Sequence, residues 1–117
     1  MGAKHHNAAY QQLREIDRVM LDRIVELGDD LSQPRHTLLY FCRLEDGSRT
    51  SLEIVAAAAS EKSLTVTREN QDVVIMEGHL HVDPAAVKAL VDWALDLASH
   101  ANAEFDGWEC AVIELKH

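Results

Sequence analysis

Arg35-His36-Thr37-Leu38-Leu39-Tyr40-Phe41-Cys42-Arg43 is the stretch that decides the fold. It is crowded with residues that suit a pleated surface. Side chains alternate between the faces of a strand. Leu38, Tyr40 and Cys42 therefore point one way, and Thr37, Leu39 and Phe41 the other. Both sets are apolar, which marks a central strand rather than an edge.

Upstream, Leu13, Ile16, Met20, Ile24 and Leu27 recur at helical steps. They predict one helix from Ala8 to Leu27, closed by Gly28 just past its last turn. Asp29 to Pro34 reads as a loop, with Pro34 holding Gln33 out of helical geometry. Downstream, Asp46-Gly47 signals a turn. Thr50-Ser51-Leu52-Glu53 fits a capping box, opening a helix to about Ser60 with Leu52, Val55, Ala56 and Ala59 inward. Leu64 to Thr67 alternates as a half-wet strand. Glu69 to Asp72 turns the chain into a longer strand, Val73 to Val82, with Gly78 as a bulge site. Asp83 is placed to cap a helix with Pro84 at its first position, and Val87, Leu90, Val91, Ala94 and Ala98 form its stripe. Asp106-Gly107 reads as a second tight turn before a last strand, Trp108 to Leu115.

The order is a helix followed by β-α-β-β-α-β, the pattern of the ferredoxin-like split arrangement. The expected fold class is α+β: a ferredoxin-like βαββαβ sandwich with an extra N-terminal helix. Its four-stranded antiparallel sheet would run fourth, first, third, second. Residues 1–117 are expected to form a single domain, with 1–7 a flexible N-terminus. Two helices on one face leave the other bare, lined by Leu39 or Tyr40, Val73 or Val74, and Ile75 or Met76. Such a face is rarely left to water; the first helix, a second copy or a partner would cover it.

Twenty Asp and Glu oppose eleven Lys and Arg, a net charge of -9. The cations are scattered singly, whereas a nucleic-acid binder shows a basic patch or stripe. An acidic field repels phosphate and attracts basic partners, so no direct nucleic-acid contact is expected. The N-terminus has no apolar signal core, and no run approaches the roughly 20 residues of a membrane span. The two cysteines, Cys42 and Cys110, are too few for a disulfide-stapled secreted domain. A cytoplasmic protein with reduced thiols is expected, the two cysteines lying on neighbouring strands where they could be close in space.

Chemistry-bearing signatures are sparse. His79 and His81, two apart on a strand, share a face and could supply two metal ligands, with His36, Cys42 or Cys110 as recruits. Polar residues on a wetted face account for them as well, and no metal or other cofactor is expected. No phosphate loop, nucleophile elbow or zinc-finger spacing is present, and the expectation is that the protein is not an enzyme. Two segments remain: Pro34-Arg35 at the mouth of the central strand, and Glu104-Phe105-Asp106-Gly107-Trp108-Glu109, which sets two aromatics among three acids. Trp108 could anchor the last helix to the sheet, or the segment could be a binding edge, since Trp is a favoured interface anchor.

Glu104 to Glu109 resembles the closing motif of the regulator of ribonuclease activity B family. Gly28-Asp29-Asp30-Leu31, Pro34-Arg35 and Leu39-Tyr40-Phe41 resemble its opening segment, and the likeness spans Leu13 to Glu114. The resemblance implies a ferredoxin-like fold. It also implies inhibition of ribonuclease E through that enzyme's non-catalytic scaffold region, whose basic segments suit an acidic partner. The candidate partner-binding residues are Arg35, Glu104, Phe105, Asp106, Trp108 and Glu109. The partner would be ribonuclease E or a similar basic RNA-processing protein, and the protein could also form a homodimer. The alternative is a small-molecule- or metal-binding ferredoxin-like module.

Overall fold

The computed structural model describes residues 8–114. The expected flexible segment 1–7 and Leu115 lie outside them. Four helices, α1 (Ala8–Gln11), α2 (Glu15–Glu26), α3 (Arg49–Ala57) and α4 (Pro84–Ala101), accompany four strands, β1 (Arg35–Arg43), β2 (Thr65–Glu69), β3 (Val73–Leu80) and β4 (Ala103–Cys110). A 3-10 turn, Ala58–Lys62, follows α3. The strands form one open sheet in the order β2-β3-β1-β4. Every neighbouring pair is antiparallel. The class is α+β, and the strand order is the one the sequence implies.

β1 lies inside the sheet, paired with β3 on one side and β4 on the other, as its two apolar faces require. Thr37, Leu39 and Phe41 are fully buried on the side that α3 covers, and Leu39 and Phe41 share one core with Val74 and Met76 of β3 and with Val87 and Val91 of α4. Leu38, Tyr40 and Cys42 are half-buried on the opposite face, beside Val73 and Ile75. Each keeps part of its side chain in solvent, so that face is open at its middle, with α2 bordering it at Tyr40.

α4 follows its sequence closely. Asp83 Oδ2 accepts from the Ala86 amide, Pro84 opens the helix, and Val87, Leu90, Val91, Ala94 and Ala98 are all buried. α3 does not follow. Ser48 is the extended residue before the helix and Thr50 already lies inside it, so the Thr50–Glu53 capping box does not form. A capping residue must itself stay outside helical geometry.

Three other expectations are corrected. The N-terminal helix is broken between Gln11 and Glu15, because Leu13 turns into the core and Arg14 becomes extended, φ −61° and ψ 152°. The buried flank of α2 is then Asp17, Leu21 and Ile24, while Ile16 and Leu27 are 68% and 56% exposed. The bulge falls not at Gly78 of β3 but on β2, where Thr67 is the extra residue between Val66 and Arg68, across from Met76 and Ile75. Gly78 instead lies under Leu64, whose Cδ2 would be 2.6 Å from an added Cβ. Finally, the last strand begins at Ala103 and ends at Cys110, with residues 111–114 outside the sheet.

Candidate functional site

Asp106-Gly107, which reads as a turn, is a bulge inside β4. Phe41 opposes Phe105 and Tyr40 opposes Gly107, leaving Asp106 without a residue across from it. An extra residue on one strand bends it and re-aims its side chains. Gly107 takes φ +111°, where a side chain would be strained. The bulge lets alternation restart, so that Phe105 and Trp108, three apart, both turn into the core. Without it they would fall on opposite faces.

The closing motif is thereby sorted by burial. Phe105 and Trp108 are 8% and 7% exposed, whereas Glu104, Asp106 and Glu109 are exposed. Phe105 packs on Phe41 with ring centroids 5.3 Å apart. Trp108 secures α2 rather than the last helix: its Nε1–H donates to Asp17 Oδ1 at 2.9 Å. Arg14 closes the same carboxylate with two hydrogen bonds, 2.7 and 2.9 Å, and sits 5.6 Å from the Phe105 ring centre. Asp17 occupies a position in the helix where periodicity expects an apolar residue; it is tolerated there because both oxygens are partnered. Nothing in the spacing of Asp17 and Trp108, 91 residues apart, signals their contact.

The exposed acids are held on the open side of the sheet. Tyr40 donates its hydroxyl to Glu109 Oε1, which together with burial and the nearby charge raises the phenol above its ordinary range. Cys42 Sγ lies 3.3 Å from Glu104 Oε1. Burial first, then that hydrogen bond and the charges of Glu104 and Asp106, push the Cys42 thiol up to about 11. It stays protonated at neutral pH, the opposite of what a nucleophile requires. Burial also raises the Cys110 thiol. The cysteines are not neighbours: Cys42 pairs with Glu104 and Cys110 with Thr37, five positions along β1. That spacing is about 17 Å of strand.

Arg35 is placed inside the molecule at 2% exposure. Its guanidinium grips both oxygens of Asp29 and donates to the Gln33 and Ala111 carbonyls. Asp29 in turn accepts from the Leu31 amide at 2.8 Å and the Ile113 amide at 2.8 Å. One ion pair thus ties the loop before β1 to the segment after β4. Burial works against the Asp29 carboxylate, but Arg35 and the two amides outweigh it and hold the pKa below the usual range.

His36, His79 and His81 are not gathered into one ligand site. His36 and His79 are opposite each other on β1 and β3, and His36 Nε2 meets Glu77 Oε2 at 2.7 Å. His81 lies beyond the end of β3. Among the described residues, no group of three His, Cys, Asp or Glu side chains is placed to hold a metal ion. No helix among them is long and apolar enough to cross a membrane.

Compared with known families, residues 14–110 match the family model described as regulator of ribonuclease activity B. No curated protein matches the chain.

Proposed function

Since the chain belongs to the regulator of ribonuclease activity B family, we propose that it governs a ribonuclease by binding it, through the acidic face that β4 presents, and performs no catalysis of its own. The observation that carries this reading is the sorting of the closing motif. Every side chain it exposes is a carboxylate, Glu104, Asp106 or Glu109, and every aromatic it contains is buried. Such a row attracts cations and repels phosphate. A basic protein segment is the natural complement, and the RNA such a segment carries would be displaced rather than shared.

The net charge of -9 extends the same field over the whole molecule. It speeds encounter with a basic partner more than it adds final affinity. Ribonuclease E, through basic segments of its scaffold region, is the partner that the family resemblance favours, with both proteins in the cytoplasm. Phe105, Trp108 and Arg35 contribute by shaping the surface from beneath, since their side chains are buried.

Capture of ribonuclease E from buffer of low ionic strength tests this directly. Wild-type protein is expected to retain the enzyme, and the retention is expected to fall as salt approaches 0.1 M and beyond, where the screening length is about 10 Å. A Glu104→Lys, Asp106→Lys, Glu109→Lys variant is expected to release it. Wild-type protein that retains nothing at low salt would end the proposal.

A further inference from the structure

The outward flank of α2 faces a groove that neither the fold nor the acid row accounts for. Ile16 and Met20 of α2, Tyr40 of β1, and Gly107 and Trp108 of β4 line it. The cavity measures about 270 Å³. Pockets that enclose drug-sized ligands span about 300–1,000 Å³, so this one suits a side chain or two. Its apolar wall is unsatisfied, with Ile16 68% exposed; Val19, 60% exposed, lies outside the groove. A Cβ placed on Gly107 would meet no atom within 4 Å.

The charge around this groove is one-sided. Asp106 and Glu109 line it, and Glu104 stands farther along the same strand. Arg14 also lines it, but its guanidinium is committed to Asp17. Arg18 is turned back onto the Gln11 carbonyl. Arg23 lies beyond the lining residues on α2. An apolar slot rimmed by exposed carboxylates, with no cation paired to either Asp106 or Glu109 among the described residues, is complementary to a segment that alternates large apolar side chains with Lys or Arg. A second copy of this chain would bring net charge of the wrong sign.

We infer that the α2–β4 groove receives an apolar anchor residue of a basic, amphipathic protein segment, whose cations pair with Asp106 and Glu109. This site refines the protein-contact function proposed above and depends on it. The acids give attraction without discrimination, and the slot selects, among basic segments, those that carry a large apolar residue in register.

A synthetic peptide of about 14 residues, built of Arg, Lys and Ser with two Leu one helical turn apart, is a sufficient probe. Its partner probe replaces both Leu by Ala and keeps the charge. Fluorescence anisotropy at low salt is expected to show the Leu peptide binding at least about fivefold tighter, the worth of roughly one buried anchor. Ile16→Ser is expected to erase that advantage and leave the Ala peptide unchanged. Val19→Ser, equally exposed but outside the groove, is expected to leave both peptides unchanged. Asp106→Asn with Glu109→Gln is expected to weaken both.

Equal binding of the two peptides, or equal effects of the Ile16 and Val19 substitutions, would overturn the groove assignment. So would a dimer in sedimentation that Ile16→Ser dissociates, because a second copy would then own the groove. Ribonuclease E capture separates the two levels. If Ile16→Ser captures the enzyme as well as wild type while the triple Lys variant does not, the groove assignment fails and the acidic contact stands. If wild type captures nothing, the contact itself fails.

Discussion

Asp29 and Glu109 are both carboxylates within reach of β4's C-terminal end, yet the protein uses them in opposite ways. Asp29 is 3% exposed and enclosed by Arg35 and two backbone amides. Glu109 is exposed, and its carboxylate accepts a hydrogen bond from Tyr40. The first holds two chain segments together; the second keeps its charge available. Burial decides which role a carboxylate plays, because a charge removed from water must be fully partnered, whereas one left in water contributes little to stability.

The largest effect should come from breaking the buried pair. Asp29→Ala or Arg35→Ala leaves an uncompensated charge inside the protein and is expected to cost about 3–5 kcal/mol in urea denaturation. The same pair predicts a pH dependence. Asp29 has its folded pKa below the unfolded value, so its contribution is complete above the ordinary carboxylate pKa of about 3.9. It is lost as pH falls through the lower folded value. Wild-type stability is therefore expected to decline below about pH 4, and Asp29→Asn to flatten that part of the profile.

Trp108→Phe probes the boundary between the two regimes. It keeps an aromatic ring in the core but deprives buried Asp17 of the indole donor. A loss of about 1–3 kcal/mol is expected, with faster amide exchange in α2 as the local readout. Exchange that quickens uniformly over the chain would show that α2 is not specifically held by this bond.

At the exposed end the stability effects should nearly vanish. Asp106→Lys, having no residue across from it on β1, is expected to change stability by no more than about 0.5 kcal/mol. A loss comparable to that of Asp29→Ala would erase the contrast between the two regions. Cys42, between them in burial, should alter no stability at neutral pH but show its environment kinetically. With the thiol raised to about 11 from the ordinary 9.0, alkylation near pH 7 is expected to run about a hundredfold slower than for a free thiol. A rate matching free cysteine would mean that the Cys42–Glu104 contact opens readily.

The periodic elements could be read directly. Arg35–Arg43 is the strand its composition indicates, and α4 begins, ends and faces the core as Asp83-Pro84 and its stripe imply. The N-terminal helix misled because Leu13, Ile16, Met20, Ile24 and Leu27 mix two flanks. Leu13 and Ile24 belong to the core, and Ile16 and Leu27 to the surface. Hydrophobic periodicity reports a face, not what lies against it. No Pro or Gly marks the break before Glu15. Asp106-Gly107 misled for a related reason: a Gly at positive φ serves a bulge as well as a turn.

By itself the sequence determined the α+β class, the central place of β1, the acidic balance and the family likeness of the closing motif. These follow from local chemistry: side-chain period, turn and cap residues, and counted charge. Only the tertiary structure decided which members of that motif are presented. Arg35, Phe105 and Trp108 went inside while Glu104, Asp106 and Glu109 stayed out. That division depends on a bulge against β1 and on contacts between residues as far apart as Asp17 and Trp108. Long-range pairing of this kind leaves no trace in local spacing, because it is set by how the elements pack and not by the elements themselves.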